Sequence, residues 1–208
     1  MSASFNVVFQ VPLQVPVLKR ELASKMYTPS SYYIGRFISN LLIQIFYPLI
    51  MVTVIYLGLG LDLDVQTYCL LLSIAIMGNW VFCGQGYFLG TVLTESSAKA
   101  FNMTLFLFLF PTTGIMTNIK DSGLIMKIIS YVSPLRYVNE AFYTVFLRSL
   151  GEDKVYPNCP NLNMSQAKIL DQMGYDLGIG YCFLAMAGFL AIWMTASLVG
   201  INTKFRSL

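Results

Sequence analysis

The chain has 208 residues, 56% of them apolar and only 11% charged, with a net charge of +3. Soluble domains average about 25% charged residues, so most of this chain does not face water, and +3 is too small to signal a nucleic-acid partner. No histidine is present, which excludes His-ligated zinc and His-dependent nucleophiles; Cys69, Cys83, Cys159 and Cys182 form no CxxC, no phosphate-binding GxxxxGK[ST] loop occurs, and no metal or catalytic residue is expected.

Residues 3–18 are apolar but interrupted by Gln10, Pro12, Gln14 and Pro16. They fall short of the roughly 20 residues a membrane span needs and read as a partial helix, or else as a disordered apolar terminus. A polar elbow follows at residues 14–36 (QVPVLKRELASKMYTPSSYYIGR), holding Lys19, Arg20, Glu21, Lys25 and Arg36. Residues 37–57 form the first strong span, with a kink expected at Pro48. Asp62 and Asp64 then mark a short acidic loop. Residues 67–89 form a second span, whose later half holds Gly78, Gly84 and Gly86, with Gly90 just beyond; small residues let helices approach closely in lipid. The stretch 94–99 (TESSAK) reads as a polar loop, and 100–118 as a third span broken at Pro111.

The outer loop, 119–175, mixes polar and apolar residues. Within it, 124–132 and 136–147 are amphipathic stretches of the re-entrant or interfacial kind, and GEDKVYPNCPNLNMSQ is rich in turn formers. Arg136 and Glu140, spaced i,i+4, face each other on a helix and read as a structural pair. Residues 177–200 carry no charge and form the last span. The fold expected is all-α: a polytopic membrane helix bundle of about four full spans and one partial N-terminal span, with short re-entrant or interfacial helices in the long outer loop, as one domain over 1–208.

Lys and Arg in short flanks set orientation. The elbow is the most basic flank, Lys99 and the tail residues Lys204 and Arg206 add to the same side, and the Asp62–Asp64 loop has no base. This places the elbow in the cytoplasm and the 58–66 and 119–175 loops outside or in a lumen; plasma and internal membranes are not distinguished. Asn163-Met164-Ser165 is then a glycosylation sequon on the outer side. A second sequon at Asn102 lies inside a span and is expected to stay unused. Cys159, alone in the outer loop, is free or bridges two chains.

The order of these parts resembles the transmembrane domain of type-2 ABC exporters of the G subfamily. The elbow carries the sharpest likeness: Pro16-Val17-Leu18-Lys19-Arg20-Glu21 against the family's P-V-F-x-R-E, then Tyr27 and Ser30-Ser31-Tyr32-Tyr33. Ser133-Pro134-Leu135-Arg136-Tyr137 with Glu140-Ala141 matches S-P-x-R-Y…E-A, and 159–163 (CPNLN) is similar to the outer loop of some members. Departures stand at Gln14 and Val15, at Lys25, at Asn40 and at Ile43, where the family has Glu-Arg, Gly, an acid and Pro.

The resemblance implies an exporter of lipid-like or amphipathic substrates that works as a dimer of two such domains among membrane lipids. ATP and Mg would sit on an ABC ATPase domain outside these residues, and the likeness begins at the family's second membrane helix. It implies that Arg20, Glu21, Lys25 and Tyr27 couple to the ATPase, although the same bases also satisfy the orientation rule alone. It implies a substrate cavity lined by Val7, Asn40, Gln44, Phe106 and Phe110, and an outer gate at Ile115 and Met116, against plain helix packing. The rival reading is a shortened, non-transporting relative that dimerises with longer ones; a passive channel is weaker, since no charged ring or filter repeat is visible.

Overall fold

The computed structural model describes residues 2–24, 28–58, 64–114, 119–120, 122–149, 170–171 and 173–205. Among them every regular element is helical: α1 (Ser2–Ala23), α2 (Pro29–Ile43), α3 (Phe46–Gly58), α4 (Val65–Val92), α5 (Glu95–Leu109), a 3₁₀ turn (Pro111–Thr113), α6 (Leu124–Val132), α7 (Pro134–Ser149) and α8 (Ile179–Phe205). Among the described residues, three stretches are long and apolar enough to cross a membrane: Pro29–Gly58, Val65–Val92 and Ile179–Thr203. The expected third span is shorter than its hydropathy suggested. α5 has 15 residues, about 22 Å at 1.5 Å per residue, against about 30 Å of hydrocarbon.

The expected polar loop at 94–99 is instead the start of α5. The Thr94 carbonyl accepts from Ala98 N at 2.8 Å, and its hydroxyl donates to Ser97 Oγ at 3.0 Å. Glu95 and Lys99, spaced i,i+4, form an ion pair on the first turn. α5 ends where Pro111 supplies no N–H. The Thr112 and Thr113 hydroxyls donate to the Leu109 and Phe110 carbonyls at 2.6 and 2.8 Å. Gly114 follows at φ +85°, a conformation that glycine adopts without Cβ strain.

The first long span is broken. α2 and α3 are separated at Gln44–Ile45, one turn before Pro48, so the kink is not at the proline itself. Pro48 has no N–H for the Gln44 carbonyl, four residues back, and its ring crowds that oxygen. Ile45 N turns to the Leu42 carbonyl at 3.3 Å, which frees the Leu41 carbonyl as well. Side chains of α4 take both acceptors. Asn79 Nδ2 donates to Gln44 O at 2.8 Å and to its Oε1 at 3.1 Å, and Trp80 Nε1 donates to Leu41 O at 3.1 Å. Broken helices persist in membranes when neighbours satisfy the freed groups in this way.

Two compact units make up the chain. The first comprises Met1–Tyr47, Asn79–Phe106 and Ala187–Leu208; the second comprises Pro48–Gly78 and Leu107–Met186. In the first, α1 packs on α4 through Gly86 and Gly90. A Cβ on Gly86 would lie 2.7 Å from Ser4 O, and one on Gly90 2.9 Å from Val11 Cβ. Ala3, Val7, Tyr33, Phe37, Cys83 and Tyr87 belong to the core there. In the second unit, Asp64 caps α4: its carboxylate accepts from Gln66 N and Thr67 N, both at 3.3 Å, and from Thr67 Oγ1 at 2.8 Å.

The Thr67 hydroxyl, then the Gln66 amide, hold the Asp64 carboxyl below its ordinary pKa. A depressed pKa contributes stability above the unfolded value, lost as pH falls through the folded one. Protection of the amides over the first turn of α4, measured against their intrinsic exchange rates, is therefore expected to fall only at acid pH in the wild type, and at every pH in D64A. Equal protection in D64A and wild type at neutral pH would remove the cap.

Candidate functional site

The four residues at which a helical face of α2 and its C-cap turns polar are Arg36, Ser39, Asn40 and Gln44. Their i,i+3 and i,i+4 spacing puts them on one side. On α1, Asn6 and Gln10 are likewise one turn apart. These six residues, with Ile43 and Tyr47, line a cleft of about 220 Å³ in the first unit. Asn40 Nδ2 donates to Tyr87 Oη at 3.2 Å, and Tyr87 Oη donates to the Arg36 carbonyl at 3.3 Å. Gln44 accepts from Asn79. Asn6 and Gln10, absent from the expected cavity lining, interrupt an apolar helix, and their i,i+4 spacing is the signal that could have found this wall of the cleft.

The other cavity expectations fall elsewhere. Val7 is 1% exposed in the α1–α4 core, where a Cβ on Gly86 would meet it at 3.2 Å. Phe106 is also 1% exposed and packs between Phe5 and Phe82, with ring centroids 6.1 and 5.3 Å away. Both are packing residues, because each projects toward a neighbouring helix and not toward the cleft. Phe110 is exposed at the end of α5, in the second unit. Asn102 is fully buried and accepts from Ser4 Oγ at 2.8 Å, which leaves its sequon no access.

The described residues of the elbow belong to the end of α1 and the start of α2. α1 continues through Lys19, Arg20 and Glu21 to Ala23. Ser24 closes it, its N donating to Arg20 O at 3.3 Å and its hydroxyl to Glu21 O at 2.7 Å. Thr28 caps α2, accepting from Ser31 N at 3.4 Å with Pro29 in the first turn. Arg20 is exposed and Glu21 half-buried. Lys25, Tyr27, Ile115, Met116, Cys159 and Asn163 lie outside the described residues.

Arg136 and Glu140 meet in the second unit, Nε to Oε2 3.6 Å, at 1% and 0% exposure. The Arg136 guanidinium also donates to Ser130 Oγ at 3.2 Å and Gly174 O at 2.9 Å, and it lies 4.1 Å from the Tyr131 ring centroid. Glu140 Oε1 accepts from Leu177 N at 2.5 Å. The Ser130 hydroxyl donates to Thr112 O at 3.2 Å, and Tyr175 Oη to Thr113 O. The pair thus ties α6, α7, the 3₁₀ turn and the strand of chain entering α8 into one buried latch. No reacting group is present in it, and its geometry is that of a fastening.

Residues 1–147 match the family described as ABC-2 type transporter. ABC transporter G family member 21 of Arabidopsis thaliana is 30% identical over 139 residues, covering 67% of this chain and 20% of that protein. Family member 25 of the same plant is 28% identical over 141 residues, again 67% of this chain and 20% of the relative. The aligned stretch is thus about a fifth of the length of the curated relatives it matches. The cleft, the broken span and the Arg136–Glu140 pair lie within the matched residues; α8 lies beyond them.

Proposed function

Because the chain belongs to the ABC-2 type transporter family of membrane domains, we propose that it is permease part of an ATP-binding-cassette exporter, moving lipid-like or amphipathic substrates. ATP and Mg are held by an ABC ATPase domain, and a second transmembrane domain completes the path across the bilayer. One observation supports the reading most directly: a polar cleft between α1 and α2 beside a broken membrane span. Intramembrane carboxamides are costly unless they face a partner or a wet cavity, and a discontinuous helix supplies backbone that can rearrange. In the same reading Asn163 carries a glycan on the outer side.

The elbow is the surface on which the ATPase domain acts. Arg20 and Glu21 sit on the last turn of α1, the helix that also forms one wall of the cleft, so a push there is transmitted along a rigid element. The test is uptake of a fluorescent phospholipid into inside-out vesicles. ATP-dependent accumulation is expected with a co-expressed ATPase partner and is absent without it. E21K is expected to reduce accumulation at least tenfold while membrane insertion and ATP hydrolysis persist. Accumulation undiminished in E21K would leave the elbow as a headgroup anchor; no accumulation by the wild-type complex would sink the permease reading.

A further inference from the structure

Among the described residues lining the cleft, Arg36 is the one formal charge, and no carboxylate accompanies it. It lies in the basic elbow, near the start of the Pro29–Gly58 stretch. The hydrogen-bonding inventory of the cleft leans the same way. The side chains of Asn6 and Gln10 make no hydrogen bond to any described residue, and the Asn79 contact occupies only the oxygens of Gln44, leaving its amide nitrogen as a donor. Side-chain donors and one positive charge therefore line a space that no carboxylate among the described residues lines.

We propose that Arg36 makes this cleft selective for amphiphiles with an anionic, oxygen-rich head group, such as a phosphate or carboxylate. The guanidinium pairs with the head, since its fork of N–H donors matches two oxygens at once. The Asn6, Gln10 and Gln44 carboxamides donate to the oxygens that remain, and Ile43 and Tyr47 face the first part of the tail. This deepens the permease reading by naming its substrate class, and it is tested by binding so that the two stand or fall separately.

The full chain, purified from membranes with its native partners, is titrated with dodecyl phosphate and with dodecanol below their micellar concentrations. The wild type is expected to bind dodecyl phosphate about tenfold more tightly than dodecanol, the scale of one charge-assisted hydrogen bond. R36Q should erase that preference without changing dodecanol affinity, and R36K, which keeps the charge but not the fork, should retain only part of it. A preference that survives R36Q overturns the proposal and leaves Arg36 reaching for lipid headgroups; so does a preference undiminished in R36K, or no preference in the wild type. A preserved preference with no ATP-driven uptake in vesicles would instead count against the permease reading alone.

Discussion

Alanine in place of Glu140 is expected to destabilise the chain by about 3–5 kcal/mol, the cost of breaking a buried ion pair by removing one partner. The melting temperature in detergent is the readout. The size follows from what is left behind. Arg136, 1% exposed, keeps its charge with only Ser130 Oγ and Gly174 O as acceptors, and Leu177 N loses the Glu140 carboxylate. R136A should cost a similar amount, freeing Gly174 O. The double change R136M/E140L removes both charges and should recover part of the loss, but not all of it, because the Gly174 carbonyl and Leu177 N–H remain unpaired. E140A with a wild-type melting temperature would show that the latch does not hold this unit together.

The same carboxyl gives a pH test. Burial pushes the Glu140 carboxyl above the usual carboxylate range, and the Leu177 N–H and the Arg136 guanidinium offset this only in part. A raised folded value means that the native chain keeps its proton longer than the unfolded chain. That contribution to stability is full below the unfolded pKa and is lost as pH rises through the folded one. E140Q keeps the shape and cannot ionise, so it should abolish this part of the pH dependence while costing less than E140A.

Hydropathy and charge made the helices legible, because an apolar run of membrane length with basic flanks has few other solutions. The bounds of α6 could be read from amphipathic spacing alone. The break in the first span could not. Pro48 was visible, but its effect falls on the Gln44 carbonyl a turn earlier, and its repair comes from Asn79 and Trp80, 35 and 39 residues away from the acceptors they serve. The stretch 94–99 was misread because its polarity resembles a loop; the Thr94 cap and the Glu95–Lys99 spacing were the better guides. Val7 and Phe106 show a different limit. Inside a membrane domain, apolar residues face core, lipid or cavity with one and the same pattern, and only the polar Asn6, Gln10, Asn40 and Gln44 mark a direction. Likewise the i,i+4 spacing revealed Arg136 and Glu140, but not Gly174 or Leu177, which reach them only through the folded chain.

Gly86→Ala is expected to produce the second large effect, and the glycines of the chain provide its controls. A Cβ at Gly86 would stand 2.7 Å from Ser4 O and 3.1 Å from Ser4 Cα. These are backbone atoms, so no rotamer relieves the clash and α1 must move as a whole. Overpacking of this kind costs about 1–3 kcal/mol. The displacement also strains the buried hydrogen bond from Ser4 Oγ to Asn102 Oδ1, and losing it leaves the buried Ser4 hydroxyl without that acceptor, about 1–3 kcal/mol more. Gly84→Ala meets Trp193 Cβ at 3.2 Å and Leu190 Cδ1 at 3.4 Å, contacts relieved by a shift of a few tenths of an ångström, and should cost less. Gly188→Ala meets nothing within 4 Å and should be neutral, or stabilising by up to about 1 kcal/mol through helix propensity. Melting temperatures in detergent should therefore fall in the order Gly188→Ala, Gly84→Ala, Gly86→Ala. Because α1 joins the elbow to the cleft, Gly86→Ala should also weaken dodecyl phosphate binding, while Gly188→Ala should leave it unchanged. Gly86→Ala as stable as Gly188→Ala would mean that α1 is not seated against α4 in the working protein.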